Sequence, residues 1–160
     1  MSEWPEPVER VATVLRRAAI DARIEQFVDG AATARDAAKA IGCDLSQIVK
    51  SLVFVCDGAF VLALVPGDRR ADEQAIATAA GAADIRIAGP QEVMFATGFE
   101  PGAVAPFPLR AVARAFMDSS LLAHQVVWIG AGTSEHMAAV PPLELQRLTR
   151  ARAVDLSTQS

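Results

Sequence analysis

Apolar positions recur at Val8, Val11, Ala12, Leu15 and Ala19 with arginines between them, the spacing of an amphipathic helix over residues 8–20. RIEQFV, Arg23 to Val28, is a short strand candidate. Thr33 with Asp36 three residues on opens the next helix, and Gly42 closes it. From 48 to 65 the pattern changes to two apolar runs separated by Asp57-Gly58, a hairpin-turn dipeptide, which places the centre of a sheet here. PGDRR, Pro66 to Arg70, reads as a turn, and DEQAIATAAG as a helix with acidic residues in its first turn and Gly81 at its end. IRIA is a short strand. Pro90 opens a helix that stops at Gly98, and GFEPGAVAPFP, Gly98 to Pro108, is too rich in glycine and proline for regular structure. Strands around 112–117 and 125–129, the glycine turn GAGTSEH, a short apolar strand, a helix from Pro142 to Arg150 and a last strand, AVDLS, complete the chain. The expected fold is α/β: a single domain over 1–160 with a mixed, largely antiparallel central sheet flanked by helices.

One position resists this pattern. The stretch SQIVKSLVF carries a lysine inside a buried strand, and period two puts Ile48, Lys50, Leu52 and Phe54 on one face, with Val49, Ser51, Val53 and Val55 on the other. Both faces are apolar, as in a central strand covered on both sides. The ammonium must snorkel out at a strand end or line a cleft, because burying it without a partner is costly. The chain has two lysines; Lys39 sits in an alanine-rich helical pattern with a solvent face to occupy, and Lys50 does not. Two readings stay open for Lys50: a structural role beside a carboxylate, and a site role in which a compact charge reaches one oxygen in a small pocket.

Composition narrows the classes. A chain of 160 residues buries one continuous core without staples, and at 52% hydrophobic residues it is not disordered. A net charge of −4 and a pI near 5.1 argue against a coat held on nucleic acid by bulk charge, though a local basic patch is allowed; DNA is not an expected partner. Cys43 and Cys56 lack CxxC spacing and a surrounding His/Cys cluster, so reduced thiols are expected and no metal or other cofactor. MSEWPEPVERV does not have the form of a signal peptide, and Asp57-Gly58 interrupts the most hydrophobic stretch before a membrane span can form. A soluble, cytoplasmic protein without a membrane partner is the expectation.

Two histidines without a G-x-S-x-G elbow do not suggest Ser-His-Asp hydrolysis, and the glycines of GAGT lack the Lys-Ser/Thr of a phosphate loop. They read as a turn that lets a backbone come close to something. His136 either binds a substrate or caps that turn. What remains is a lysine in an apolar cleft and a Gly/Pro loop rich in unpaired backbone groups. Such a site suits hydrolysis of an already reactive bond, an ester for example, with the wall formed by Ile48, Leu52, Phe54 and the loop.

VKSLVF around Lys50, LALVPGDRR, TGFEPGAVAPF with its Gly102-x-x-x-Pro106 spacing, and IGAGTSEH occur in an order that resembles the YbaK/EbsC family of aminoacyl-tRNA deacylases, related to the editing domain of bacterial prolyl-tRNA synthetase. The resemblance runs from about residue 8 to about residue 156. It implies the YbaK-like editing-domain fold and a free-standing enzyme that hydrolyses the ester joining a wrong amino acid to the terminal adenosine of a tRNA, most often a proline tRNA. In that family the lysine is the key polar residue of the pocket and the GxxxP glycine supplies backbone contacts at the ester. Carried over, these are Lys50 and Gly102, with Pro106 shaping the loop. Thr97, Gly98, Gly130 and His136 join Ile48, Leu52, Phe54 and Pro106 as substrate-binding candidates, and Arg69, Arg70, Arg110 and Arg114 as acceptor-stem contacts. The implied partners are the acceptor end of a mischarged tRNA and prolyl-tRNA synthetase. Whether Lys50 meets the ester carbonyl or the terminal nucleotide stays open, as does the amino acid removed: alanine, serine, threonine or cysteine. A non-catalytic tRNA- or synthetase-binding module of the same fold is the alternative.

Overall fold

The turn at Asp57-Gly58 organises the central sheet. Both residues adopt positive φ, 49° and 84°, the geometry that joins two twisted strands tightly. Strand β2 (Val49–Cys56) therefore pairs with β3 (Ala59–Pro66) antiparallel along its whole length, Val49 opposite Pro66 and Cys56 opposite Ala59. The Asp57 carboxylate accepts the N–H groups of Asp84 and Ala83 at 2.9 and 3.1 Å, and these bonds hold its pKa below the usual value. They also tether the start of β5 (Ile85–Ile87), which pairs with β2 only through Phe54–Cys56. The computed structural model describes residues 3–28, 30–31 and 33–159; Met1, Ser2, Asp29, Ala32 and Ser160, part of the single domain expected over 1–160, lie outside the described residues.

On the other side of β3 the pairing turns parallel, to β6 (Arg114–Asp118) and then to β9 (Arg152–Val154), giving the order β5-β2-β3-β6-β9. A second, antiparallel sheet has β8 (His136–Val140) between β1 (Arg23–Gln26) and β7 (Val127–Gly130). A small ribbon pairs β4 (Arg69–Ala71) with β10 (Ser157–Gln159). Among the described residues five ladders are antiparallel and two parallel, so the fold is the expected α/β class with a mixed, largely antiparallel pairing. The helices are α1 (Glu6–Arg17), α2 (Ala34–Ile41), α3 (Glu73–Ala80), α4 (Pro90–Thr97) and α5 (Pro142–Thr149).

Both faces of β2 are covered. Val49, Val53 and Val55 join one core with Leu62, Leu64 and Ile129, while Phe54 and Cys56 join another with Ile76, Phe116 and Leu156. Three elements depart from the sequence expectation. α1 begins at Glu6, since Pro7 in the first turn has no N–H that needs an intrahelical partner, and ends at Arg17 because Ala19 turns to φ 56°. Arg69 and Arg70 of the expected turn are strand, continuing through Ala71, supplied with a partner by β10, 86 or more positions away and invisible to local pattern. AVDLS is two strands, not one: β9 stays in the central sheet and β10 leaves it.

That break is held by a buried carboxylate. Asp118, 4% exposed, accepts the N–H of Leu156 at 2.8 Å and the hydroxyl of Ser157 at 3.0 Å on one oxygen, and the N–H and hydroxyl of Ser120 on the other. Burial works to raise its pKa; the bonds from Ser120, Leu156 and Ser157 outweigh it, and the net shift is downward.

Candidate active site

Among the described residues the one ladder pairing between this region and β7 is a parallel bridge of Ile48, just before β2, to Trp128. No further pairing between the two is found among the described residues, and a cleft of about 210 Å³ lies beside the bridge. Its walls are Ile48 and, from β2, Val49–Leu52; Ala31, the cap Thr33 and, from α2, Ala34 and Ala37; Gly130 and Met137 from the second sheet; and Gly102 and Val104 from the loop. Lys50 and Gly102, 52 residues apart in sequence, therefore face one space, and Ile48, Leu52 and Gly130 share it. Thr33 fixes the start of α2 by accepting the N–H of Asp36 at 3.0 Å.

Lys50 is half-buried, and its ammonium donates to the main-chain carbonyl of Arg69. Burial lowers its pKa and Asp68 pulls the other way. Among the described residues it makes no ion pair with a carboxylate, so its partner in the fold is a carbonyl, which leaves two of the three ammonium N–H groups for another acceptor. Arg69 is itself pinned, its guanidinium donating to the hydroxyl and carbonyl of Ser157 at 2.6 and 3.1 Å. Thus the β4–β10 ribbon aims the lysine.

Two glycines shape the opposite wall for different reasons. Gly102 has φ 82° with nothing within 4 Å of where a Cβ would sit, so it is needed for its backbone angle and its outer side is open. A Cβ on Gly130 would lie 2.7 Å from the carbonyl oxygen of Val104; here the requirement is close approach, as the glycine turn led us to expect.

The remaining candidates lie elsewhere. Phe54, 2% exposed, packs with Ile76 and Phe116 and does not line the cleft. The strand's period put it on the lysine's face, but the cleft ends at Leu52, where β5 begins to cover the edge. Thr97 is fully buried, donating to Val93 O at 2.7 Å and accepting the N–H of Phe99 at 3.0 Å, a helix-end brace. Gly98, φ 80°, caps α4 beside Arg10, whose guanidinium donates to its carbonyl at 2.8 Å, and beside Arg110. It lines a second depression, with Pro101, Gly102 and Thr133. Pro106 faces a third, with Phe107, Arg114 and Arg152. His136 is 4% exposed with Nδ1 2.5 Å from the Thr133 hydroxyl and its ring edge-on to Trp4, and burial lowers its pKa against the pull of Glu135. Of its two readings, the turn cap is the one with a contact. Arg114 donates to Ala80 O at 3.0 Å and lies over Phe116; Arg70 is exposed on β4 and Arg110 exposed by Gly98. The four arginines occupy separate settings.

Sequence reasoning missed Ser51. The residue borders the cleft, and its hydroxyl oxygen is buried with no hydrogen-bond partner among the described residues. Alternation grouped it with the core valines. The usable signal was a small polar residue at a core-facing position next to the lysine. Among the described residues no group of His, Cys, Asp and Glu could hold a metal ion, and no helix is long and apolar enough to cross a membrane.

A family model for the aminoacyl-tRNA editing domain matches residues 28–148. The chain is 32% identical over 151 residues to a proline–tRNA ligase of Nitratidesulfovibrio vulgaris strain Hildenborough, covering 94% of this chain and 25% of the ligase. The chain thus spans about a quarter of the length of that ligase. It is 33% identical over 127 residues to the uncharacterized protein YwhH of Bacillus subtilis, covering 79% of this chain and 80% of YwhH. A solved structure described as a proposed trans-editing enzyme for prolyl tRNA synthetase superposes with a TM-score of 0.91 at 33% identity, over 98% of this chain and 99% of that one. The motif order, the fold and these matches agree: the chain belongs to the aminoacyl-tRNA editing domain family.

Proposed function

We propose that the protein is a deacylase that hydrolyses the ester between a small, wrongly attached amino acid and the 3′-terminal ribose of a tRNA, releasing free amino acid and uncharged tRNA. The observation that carries this reading is the convergence of Lys50 and Gly102 on one small cleft. An aminoacyl ester is activated, so hydrolysis needs a positioned water, exclusion of bulk solvent and donors for the developing oxyanion rather than a side-chain nucleophile. Lys50, braced on Arg69, has N–H groups to offer to the carbonyl or to an oxygen of the terminal nucleotide. Gly102, with a bare outer side, lets the ester lie against the backbone of the loop. A cleft of about 210 Å³ fits a small side chain and restricts larger ones.

The substrate tRNA we infer is a proline tRNA, supported by the likeness to proline–tRNA ligases and to the proposed trans-editing enzyme; prolyl-tRNA synthetase is the corresponding partner. Single-turnover deacylation of a panel of tRNAs charged with alanine, serine, threonine, cysteine and proline tests the reading. Rapid release from at least one mischarged proline tRNA, with the correctly charged one spared, is expected. Tight binding of the tRNA without release of any amino acid would make the protein a binding module instead.

A further inference from the structure

The cleft has a second polar wall. In β2 the carbonyl of Val53 accepts the N–H of Ala88 at 2.9 Å on the β5 side, while that of Ile48 accepts Gly67 N–H at 2.7 Å on the β3 side. In an antiparallel ladder each residue's N–H and C=O point the same way and successive residues alternate, so Val49, Ser51 and Val53 all turn their main-chain groups away from β3. Pro66, which has no N–H, stands opposite Val49, as that alternation permits. β5 covers the outer edge only from Phe54 onward, and the bridge to β7 is confined to Ile48. Among the described residues Ser51 therefore presents an N–H and a C=O with no ladder partner at this edge, beside a buried hydroxyl oxygen that also has none.

Deepening the deacylase reading, on which it rests, we propose that Ser51 is a substrate-binding residue: its hydroxyl and main-chain carbonyl receive the α-ammonium of the aminoacyl group. Three observations select this ligand. Among the described lining residues there is no carboxylate, so a cationic end must be met by neutral acceptors. The other hydroxyl in the lining, that of Thr33, is already accepting the Asp36 N–H as a helix cap. Lys50 projects from the opposite face of the same strand and is a cation itself, so like-charge repulsion sends the substrate's ammonium to the Ser51 side and its ester oxygens to the lysine side. The two adjacent residues thereby orient the aminoacyl group end to end, and a blocked α-amine loses its place.

The test compares parent and Ser51→Ala on alanyl-tRNA(Pro) and on its N-acetylated form, alongside thermal melts. The parent should strongly prefer the free amine. Ser51→Ala should lower kcat/KM on the free amine by about tenfold or more, the scale of a lost hydrogen bond to a charged group, and lower the slow N-acetyl reaction by a clearly smaller factor. Its Tm should be equal or higher, because an unpartnered buried hydroxyl is being removed. Ser51→Thr, which keeps the hydroxyl, should restore the preference for the free amine. An alanine variant as active as the parent, an equal loss on both substrates, or a fall in Tm with activity intact would each overturn the assignment and leave the deacylase reading standing. A parent that releases nothing from the whole panel would take down both.

Discussion

Two polar centres of this molecule, the buried Asp118 and the half-buried Lys50 with its neighbour Ser51, behave oppositely in structure. Asp118, at the end of β6, spends both carboxylate oxygens on Ser120, Leu156 and Ser157. Among the described residues Lys50 makes one bond, to a carbonyl, and its neighbour Ser51 makes none with its hydroxyl. Each centre costs desolvation; only the first is repaid within the fold. The difference teaches where to look for function: a polar group whose bonding capacity is used up by the chain holds the chain together, and one whose capacity is left over is waiting for something else.

The sharpest way to break this comparison is to remove the satisfied centre. Asp118→Ala strands the Leu156 and Ser120 N–H groups and the two serine hydroxyls, and should cost about 3 kcal/mol of stability, with only a small, indirect loss of deacylation in the remaining folded protein because Ser157 also pins Arg69; denaturant melts and single-turnover rates on one preparation check both halves. Lys50→Ala should invert that pattern, with deacylation down about 10²-fold, the scale of one lost oxyanion donor, and little change in Tm. Lys50→Arg should be impaired as well, because a planar fork cannot replace a point charge packed under the Arg69 carbonyl. A destabilised alanine variant beside a near-normal arginine variant would return Lys50 to a structural role.

Gly102→Val should fold, since nothing lies within 4 Å of the new Cβ, at a cost of about 1–2 kcal/mol for a side chain at φ 82°. Turnover should fall strongly because the branched side chain fills the loop's open side. Circular dichroism with turnover assays separates the two effects, and full activity would remove the loop from the catalytic wall.

The pH dependence is a gentler probe. The folded-state pKa of Asp118 is depressed below 3.8, so its contribution is fully present above the unfolded value and is lost as pH falls through the folded one. The stability gap between the parent and Asp118→Asn should therefore be constant above about pH 5 and narrow as the pH drops below 3.8; a gap unchanged at pH 2 contradicts the assigned bonds. The smallest effect expected is none: chelator treatment should leave deacylation unchanged, and zinc-dependent recovery would contradict the site.

Local chemistry made much of this legible. Asp57-Gly58 has one good use between two apolar runs, and Thr33, Gly42, Pro90 and Gly98 mark helix ends because caps are decided within four residues. The oddity of Lys50 was visible for the same reason, since no neighbouring residue could neutralise it. Phe54 was misplaced because a strand's period assigns a face and does not say how far along that face the space extends. Thr97 and His136 belong to motifs but are used up by contacts one turn away.

By itself the sequence determined the helix and strand alphabet, the two-sided burial of β2 and the isolation of one lysine, all of which depend on neighbours along the chain. Tertiary structure alone decided that pairing toward β7 stops at Ile48, that the Arg69 carbonyl takes the lysine, that Gly102 arrives at the same opening, and that the buried Ser51 hydroxyl has no partner among the described residues. The physical reason is that a hydrogen-bonding group advertises its capacity in the sequence, whereas whether that capacity is filled depends on partners brought from tens of residues away, and only the unfilled remainder can bind a substrate.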